Sequence, residues 1–82
     1  MIHIVYEEEN SRSAAYDDAA VIGMCQFEDI SGVRIIYHTE VLPSYGGQGI
    51  AGKLVHCVSD EAENEGLEIK STCSFAKMVL GR

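Results

Sequence analysis

The chain has little basic charge and no paired cysteines. Six lysines and arginines stand against 13 aspartates and glutamates in 82 residues, a net charge of -7. No basic stripe exists, which argues against a nucleic-acid backbone as partner. Cys25, Cys57 and Cys73 are an odd set at wide spacing without a C-x-x-C pair. Neither a disulfide framework nor a zinc site follows, and no metal is expected. No run is long enough to cross a membrane. Residues 1–7 lack the cationic start and apolar stretch of a signal peptide, so the expected compartment is a reducing cytoplasm. Linkers, repeats and low-complexity tracts are missing as well. A chain this short buries roughly 60% of its unfolded surface, enough for one core over residues 1–82 but not for two.

What is present is an ordinary globular balance, 46% hydrophobic and 23% charged, which excludes a disordered chain. Residues 1–45 hold eight acids against Arg12 and Arg34; the remainder holds five acids against Lys53, Lys70, Lys77 and Arg82. The second half is therefore nearly neutral, and a small anion there is not strongly repelled.

Ile2, Ile4 and Tyr6 alternate with His3, Val5 and Glu7, which predicts a strand over 2–7 with one buried face. Residues 8–13 read as a polar turn, 14–16 as a short strand, and 17–18 as the next turn. A longer apolar strand follows at 20–28, then a hairpin link at 28–32 and a fourth strand at 33–41. Pro43 ends it. Ile50, Leu54, Val58 and Ala62 recur at i+4, joined by Ala51 and Val55, as one stripe of a helix that Gly66 closes. Residues 67–73 read as a strand, with Ser74 as N-cap of a short helix from 75 to about 80. The fold class is α+β, a mostly antiparallel sheet in the order β-β-β-β-α-β-α.

The segment Gly46-Gly47-Gln48-Gly49-Ile50-Ala51-Gly52-Lys53-Leu54 runs straight into the main helix and reads as a phosphate cradle. Glycines let the backbone turn tightly, and a helix start presents unpaired N–H groups and partial positive charge to an anion. Gly47, Gly49 and Gly52 fit the dinucleotide pattern by letter, and Gly52-Lys53 nearly fits a P-loop. Leu54 stands where a P-loop needs a hydroxyl for Mg²⁺. Leu42 to Tyr45 separate the glycines from the preceding strand, and the meander before them is antiparallel; both disfavour a dinucleotide fold.

His38-Thr39-Glu40-Val41, the run from Tyr45 to Val55, and Leu67 to Lys77 together resemble the GCN5-related N-acetyltransferases, in particular their small single-domain YjdJ-type subfamily. The resemblance implies a minimal N-acetyltransferase fold that binds acetyl-CoA and transfers its acetyl group to an amine. That amine would be a small molecule or a peptide, and the protein a monomer or homodimer. A coenzyme A-binding module without turnover is the alternative. The family pattern has Gln or Arg where this chain has Gly46, while Gly49 and Ala51 fit.

The resemblance places the pyrophosphate of coenzyme A at the helix start, on Gly47, Gln48, Gly49, Ile50, Ala51, Gly52 and Lys53. It places the pantetheine arm against the strand ending at Val41, with Ser74 and Phe75 completing the cofactor set. Cys73 sits where a strand meets a helix start, a position that favours a thiolate. A cysteine there is suspected of handling the acetyl group in the resembling subfamily; burial as a small hydrophobe is the plainer reading. Amine acetylation needs a proton acceptor, and His38 and Glu40, two apart on one strand, face one side and are the candidates.

Overall fold

The alternation of the first strand sets one face of a sheet. A computed structural model describes residues 1–81 and shows five strands: β1 (Ile2–Glu7), β2 (Arg12–Asp17), β3 (Ala20–Ile30), β4 (Val33–Val41) and β5 (Glu68–Ser71). They lie in the order β1-β2-β3-β4-β5. The first four pair antiparallel and β5 pairs parallel to β4. Helices α1 (Ile50–Asn64) and α2 (Ser74–Leu80) complete the expected element order, and short 3-10 turns occupy Glu8–Asn10 and Pro43–Tyr45.

The predicted stripe packs α1 on the sheet: Ile50, Leu54, Val55, Val58 and Ala62 are buried against Ile22, Cys25, Phe27, Ile36, Ile69 and Ala76. Two rows of residues run across the sheet beneath it, Ile4-Ala15-Gly23-Val41 and Tyr6-Ser13-Cys25-Thr39. Gly23 is required by close approach: a Cβ there would sit 3.0 Å from the Glu40 carbonyl oxygen and 3.3 Å from Leu54 Cδ1. Gly66 ends α1 as predicted, with its φ of +73°. Its N–H reaches the Glu63 carbonyl at 3.1 Å and the Leu67 N–H reaches that of Ala62 at 2.8 Å, the paired bonds that satisfy a helix end.

Several boundaries differ from the sequence reading. β2 begins at Arg12, because Ser13, read as part of a turn, pairs with Tyr6 and donates its hydroxyl to the Leu54 carbonyl at 2.8 Å. β3 continues to Ile30, leaving Ser31 and Gly32 as a two-residue turn with φ of 49° and 81°, the geometry that suits strand twist. β5 is shorter than 67–73, since Leu67 caps α1 and the chain leaves the sheet after Thr72. Cys73, not Ser74, is the N-cap residue of α2. Among the described residues no helix is long and apolar enough to cross a membrane, and no group of three or more His, Cys, Asp or Glu is placed to hold a metal ion.

Candidate functional site

The sheet opens where β4 and β5 separate. Val33 to Ile36 pair with Glu68 to Ser71, and the Thr72 N–H still reaches the Ile36 carbonyl at 2.9 Å. Beyond that point β4 runs on to Val41 paired with β3 alone. A register shift between Gln26 and Phe27 on the partner strand leaves Tyr37 bulged. Thr39 and Val41 therefore point to the helix side, and His38 and Glu40 to the open side.

Above the gap, Pro43 starts a single 3-10 turn, held by Tyr45 N–H to the Leu42 carbonyl at 2.9 Å and Gly46 N–H to that of Pro43 at 3.1 Å. Gly47 and Gly49 then take φ of 77° and 74°, the left-handed region that side chains disfavour. These reversals aim the start of α1 back at the end of β4. No side chain caps that start and its first turn holds no acid. The first backbone bond back to the turn is Lys53 N–H to the Gly49 carbonyl at 3.2 Å. The N–H groups of Ile50, Ala51 and Gly52 belong to the first turn, which helix geometry leaves without intrahelical acceptors.

Val41, Tyr45, Gly46, Gly47, Gly49, Ile50, Ala51, Gly52 and Phe75 line a cleft of about 200 Å³ here. The structure thus brings together Val41, Gly47, Gly49, Ile50, Ala51, Gly52 and Phe75 from the sequence-read cofactor set. Gln48, Lys53 and Ser74 are exposed and stand outside the lining. Tyr45 and Gly46 belong to it although the cofactor set omitted them; their adjacency to the glycines was the available signal. A larger concavity of about 430 Å³ lies between β5 and α2, lined by Glu68, Ile69, Lys70, Ser71, Lys77 and Leu80. It carries Lys70 and Lys77 but has neither a helix start nor a left-handed turn.

Cys73 sits at the α2 end of the gap. Its N–H donates to Ser71 Oγ at 3.0 Å, and Ser71 Oγ donates to the Cys73 carbonyl at 2.8 Å, which fixes the backbone. As a thiol it makes no capping bond. Burial pushes its pKa up, but the backbone N–H of Ala76, the Thr39 hydroxyl and the N–H of Phe75 outweigh this and hold the thiol below its ordinary range. Buried Cys25 is the opposite case, pushed up to about 11 by desolvation. Burial also raises Cys57 on α1, helped by Glu61 and Asp60. His38 Nε2 and Glu40 Oε1 lie 2.8 Å apart, both exposed. The structure brings those two together, on the open face of β4, and places Cys73 on the other.

Residues 12–82 match the family model described as GCN5-related N-acetyl-transferase. Among solved structures, a GCN5-like protein of Staphylococcus aureus is 30% identical with a TM-score of 0.73, covering 96% of this chain and 78% of that one. A GCN5-related N-acetyltransferase from Sphaerobacter thermophilus is 21% identical with a TM-score of 0.68; it covers 73% of this chain, which spans only 20% of it. An aminoglycoside N-acetyltransferase in complex with CoA is 24% identical with a TM-score of 0.63, and this chain covers 53% of it. The last two show the fold alone. No curated protein matches.

Proposed function

From the premise that this chain belongs to the GCN5-related N-acetyltransferases, we propose that it binds acetyl-CoA in the cleft between β4 and α1 and acetylates a small-molecule or peptide amine. The observation that carries this reading is the start of α1, which no side chain caps and whose Ile50, Ala51 and Gly52 line one cleft with Val41, at the end of β4 beyond its pairing with β5. The chemistry of those groups fits the cofactor. A pyrophosphate would take the helix-start donors, and the amides of a pantetheine arm would continue the β4 ladder as far as Val41. Gly52 leaves room, since nothing lies within 4 Å of a Cβ built there. Lys53, exposed in the first turn of α1, adds a mobile positive charge.

When bound, acetyl-CoA supplies an activated acyl group. The chain's residues then have three tasks. Backbone donors hold the carrier, Phe75 and Val41 exclude water from one wall, and a carboxylate or imidazole takes the proton that an attacking amine loses. Glu40 and His38 serve the last task as a hydrogen-bonded pair on the open face of β4, with Glu40 nearer the strand end. Cys73 supports a second route, in which its thiolate would attack the thioester carbonyl and release the coenzyme A thiolate, and the amine would then displace the Cys73 sulfur and give up its proton to the base. The lowered thiol pKa favours it.

Titration with acetyl-CoA while backbone amide resonances are followed tests the reading. Shifts should concentrate in residues 46–53 and at the end of β4; a flat response there removes both binding and activity. Release of free coenzyme A thiol across a panel of amines then separates an enzyme from a module that binds without turnover.

A further inference from the structure

Thr39 lies between two sulfurs. Its Oγ1 is 3.6 Å from Cys25 Sγ and 3.8 Å from Cys73 Sγ, and Cys25 is its direct cross-strand partner on β3. We propose that Thr39 is a positioning residue for Cys73, its hydroxyl forming the middle of a one-way hydrogen-bond chain from Cys25 through Thr39 to the Cys73 sulfur. The purpose assigned to the chain rests on the acetyl-site reading above; the chain itself does not.

The direction follows from proton counting. A threonine hydroxyl has one proton to give and lone pairs to receive, so it can serve one sulfur as donor and the other as acceptor at the same time. With both thiols protonated, as in the structure, the Cys73 S–H donates to Thr39 Oγ1 and the Thr39 O–H to Cys25 Sγ; ionising Cys73 reverses both bonds. A Cys73 thiolate can only accept, so the Thr39 O–H must turn to it, and the Cys25 S–H can then donate to Thr39. Cys25 suits this place because it is fully buried and remains a thiol throughout the neutral range. The bond to the thiolate is charge-assisted and so the stronger of the two. Threonine rather than serine adds stiffness, since branching at Cβ restricts the side-chain rotamers.

Other titratable groups do not replace this arrangement. Cys57, on α1, acts on Cys25. Lys77 lies one turn along α2 and is exposed. His38 and Glu40, the neighbours of Thr39 on β4, bond each other at 2.8 Å on the opposite face. The backbone N–H groups of Ala76, Phe75 and Thr39 itself, which side-chain variants keep, remain as the constant part of the Cys73 environment.

The test is the pH profile of Cys73 alkylation by iodoacetamide, resolved by peptide mass spectrometry on the full chain. Thr39→Val, which keeps the shape and removes the hydroxyl, should move the midpoint up by about one pH unit, the effect of losing one hydrogen bond to a charged acceptor. Thr39→Ser should restore the wild-type midpoint, and Cys25→Ala should move it up by a smaller amount. A Thr39→Val profile superimposable on wild type, or a serine variant displaced as far as the valine one, overturns the proposal. Where Thr39→Val fails to fold, the Cys25→Ala and Thr39→Ser profiles decide alone. Alkylation needs no cofactor, so a shifted profile in a protein whose amides ignore acetyl-CoA would keep the positioning role while removing the acetyl-site reading.

Discussion

Tyr45 donates its hydroxyl to Asp17 Oδ2 at 2.5 Å, a link across 28 positions that ties the turn before the glycines to the end of β2. The same carboxylate takes the amino terminus of Met1 at 3.2 Å. Tyr45 also lines the cleft, so one side chain connects the end of β2 to the wall of the site. Removing the hydroxyl should loosen the cradle more than the fold. Tyr45→Phe is expected to weaken coenzyme A binding a few-fold in calorimetric titration while the melting temperature falls only slightly.

The same link gives an acid-dependent term. The Asp17 carboxyl is held below its ordinary range, first by the Tyr45 hydroxyl and then by the amino terminus. Its folded-state pKa is depressed, so its contribution is fully present above the ordinary carboxylate value and is lost as pH falls below about 4, through the folded-state value. Asp17→Asn should be less stable than wild type near neutrality and lose less of its stability on acidification, followed by circular dichroism. Parallel acid limbs in the two proteins would remove the assignment.

Gly52 and Gly49 should respond in opposite senses in stability and in the same sense in binding. Nothing lies within 4 Å of a Cβ at Gly52, and its φ is not positive, so Gly52→Ala gains roughly 0.5–1 kcal/mol of helix propensity. The added methyl stands on a residue that lines the cleft. Thermal melting should therefore shift up while affinity for coenzyme A drops. Gly49→Ala must hold a φ near 74° at a cost of about 1–2 kcal/mol, and both stability and binding should decline.

How far the sequence carried the argument depends on where each residue's partner lies. The α1 stripe, the Gly66 stop and the glycine turn were legible because helix periodicity and left-handed turns are local. Ser13 was read as part of a turn because its acceptor, the Leu54 carbonyl, is 41 positions away. Thr39 drew no role because Cys25 and Cys73 meet it 14 and 34 positions away. His38 and Glu40 were legible as a pair, while the face they share depends on the bulge at Tyr37, which spacing alone does not reveal. Arg34 was counted as a plain charge, yet it is 1% exposed.

Arg34 Cζ sits over Phe27, 4.0 Å from the ring centroid, with Nε and Nη2 donating to Asp29 at 2.8 and 2.9 Å and Nη2 also to Glu65 at 3.3 Å. Its Nη1 has no hydrogen-bond partner. The stacked stem and guanidinium should therefore matter more than the partly exposed carboxylates. Arg34→Ala is expected to cost about 2–4 kcal/mol in chemical denaturation, Arg34→Met distinctly less, and Glu65→Gln under about 1 kcal/mol. A Glu65→Gln loss as large as that of Arg34→Ala would show that the ion pair, not the packing, dominates.

Gly46 offers a gain-of-binding test of the cradle. Its φ of -64° and ψ of 156° are open to any residue, and a Cβ there would meet only the Pro43 carbonyl oxygen, at 3.2 Å. The family pattern carries Gln or Arg at this place. Gly46→Arg should add a fork of donors at the mouth of the cleft, beside the helix-start N–H groups, where a planar cation pairs well with phosphate. Affinity for coenzyme A should rise several-fold at low salt and return toward wild type as ionic strength increases. Pantetheine, which lacks the pyrophosphate, should bind the variant and the wild type alike. Equal tightening of both ligands would mean that the new side chain does not meet the phosphates, and that the anion lies elsewhere than at the start of α1.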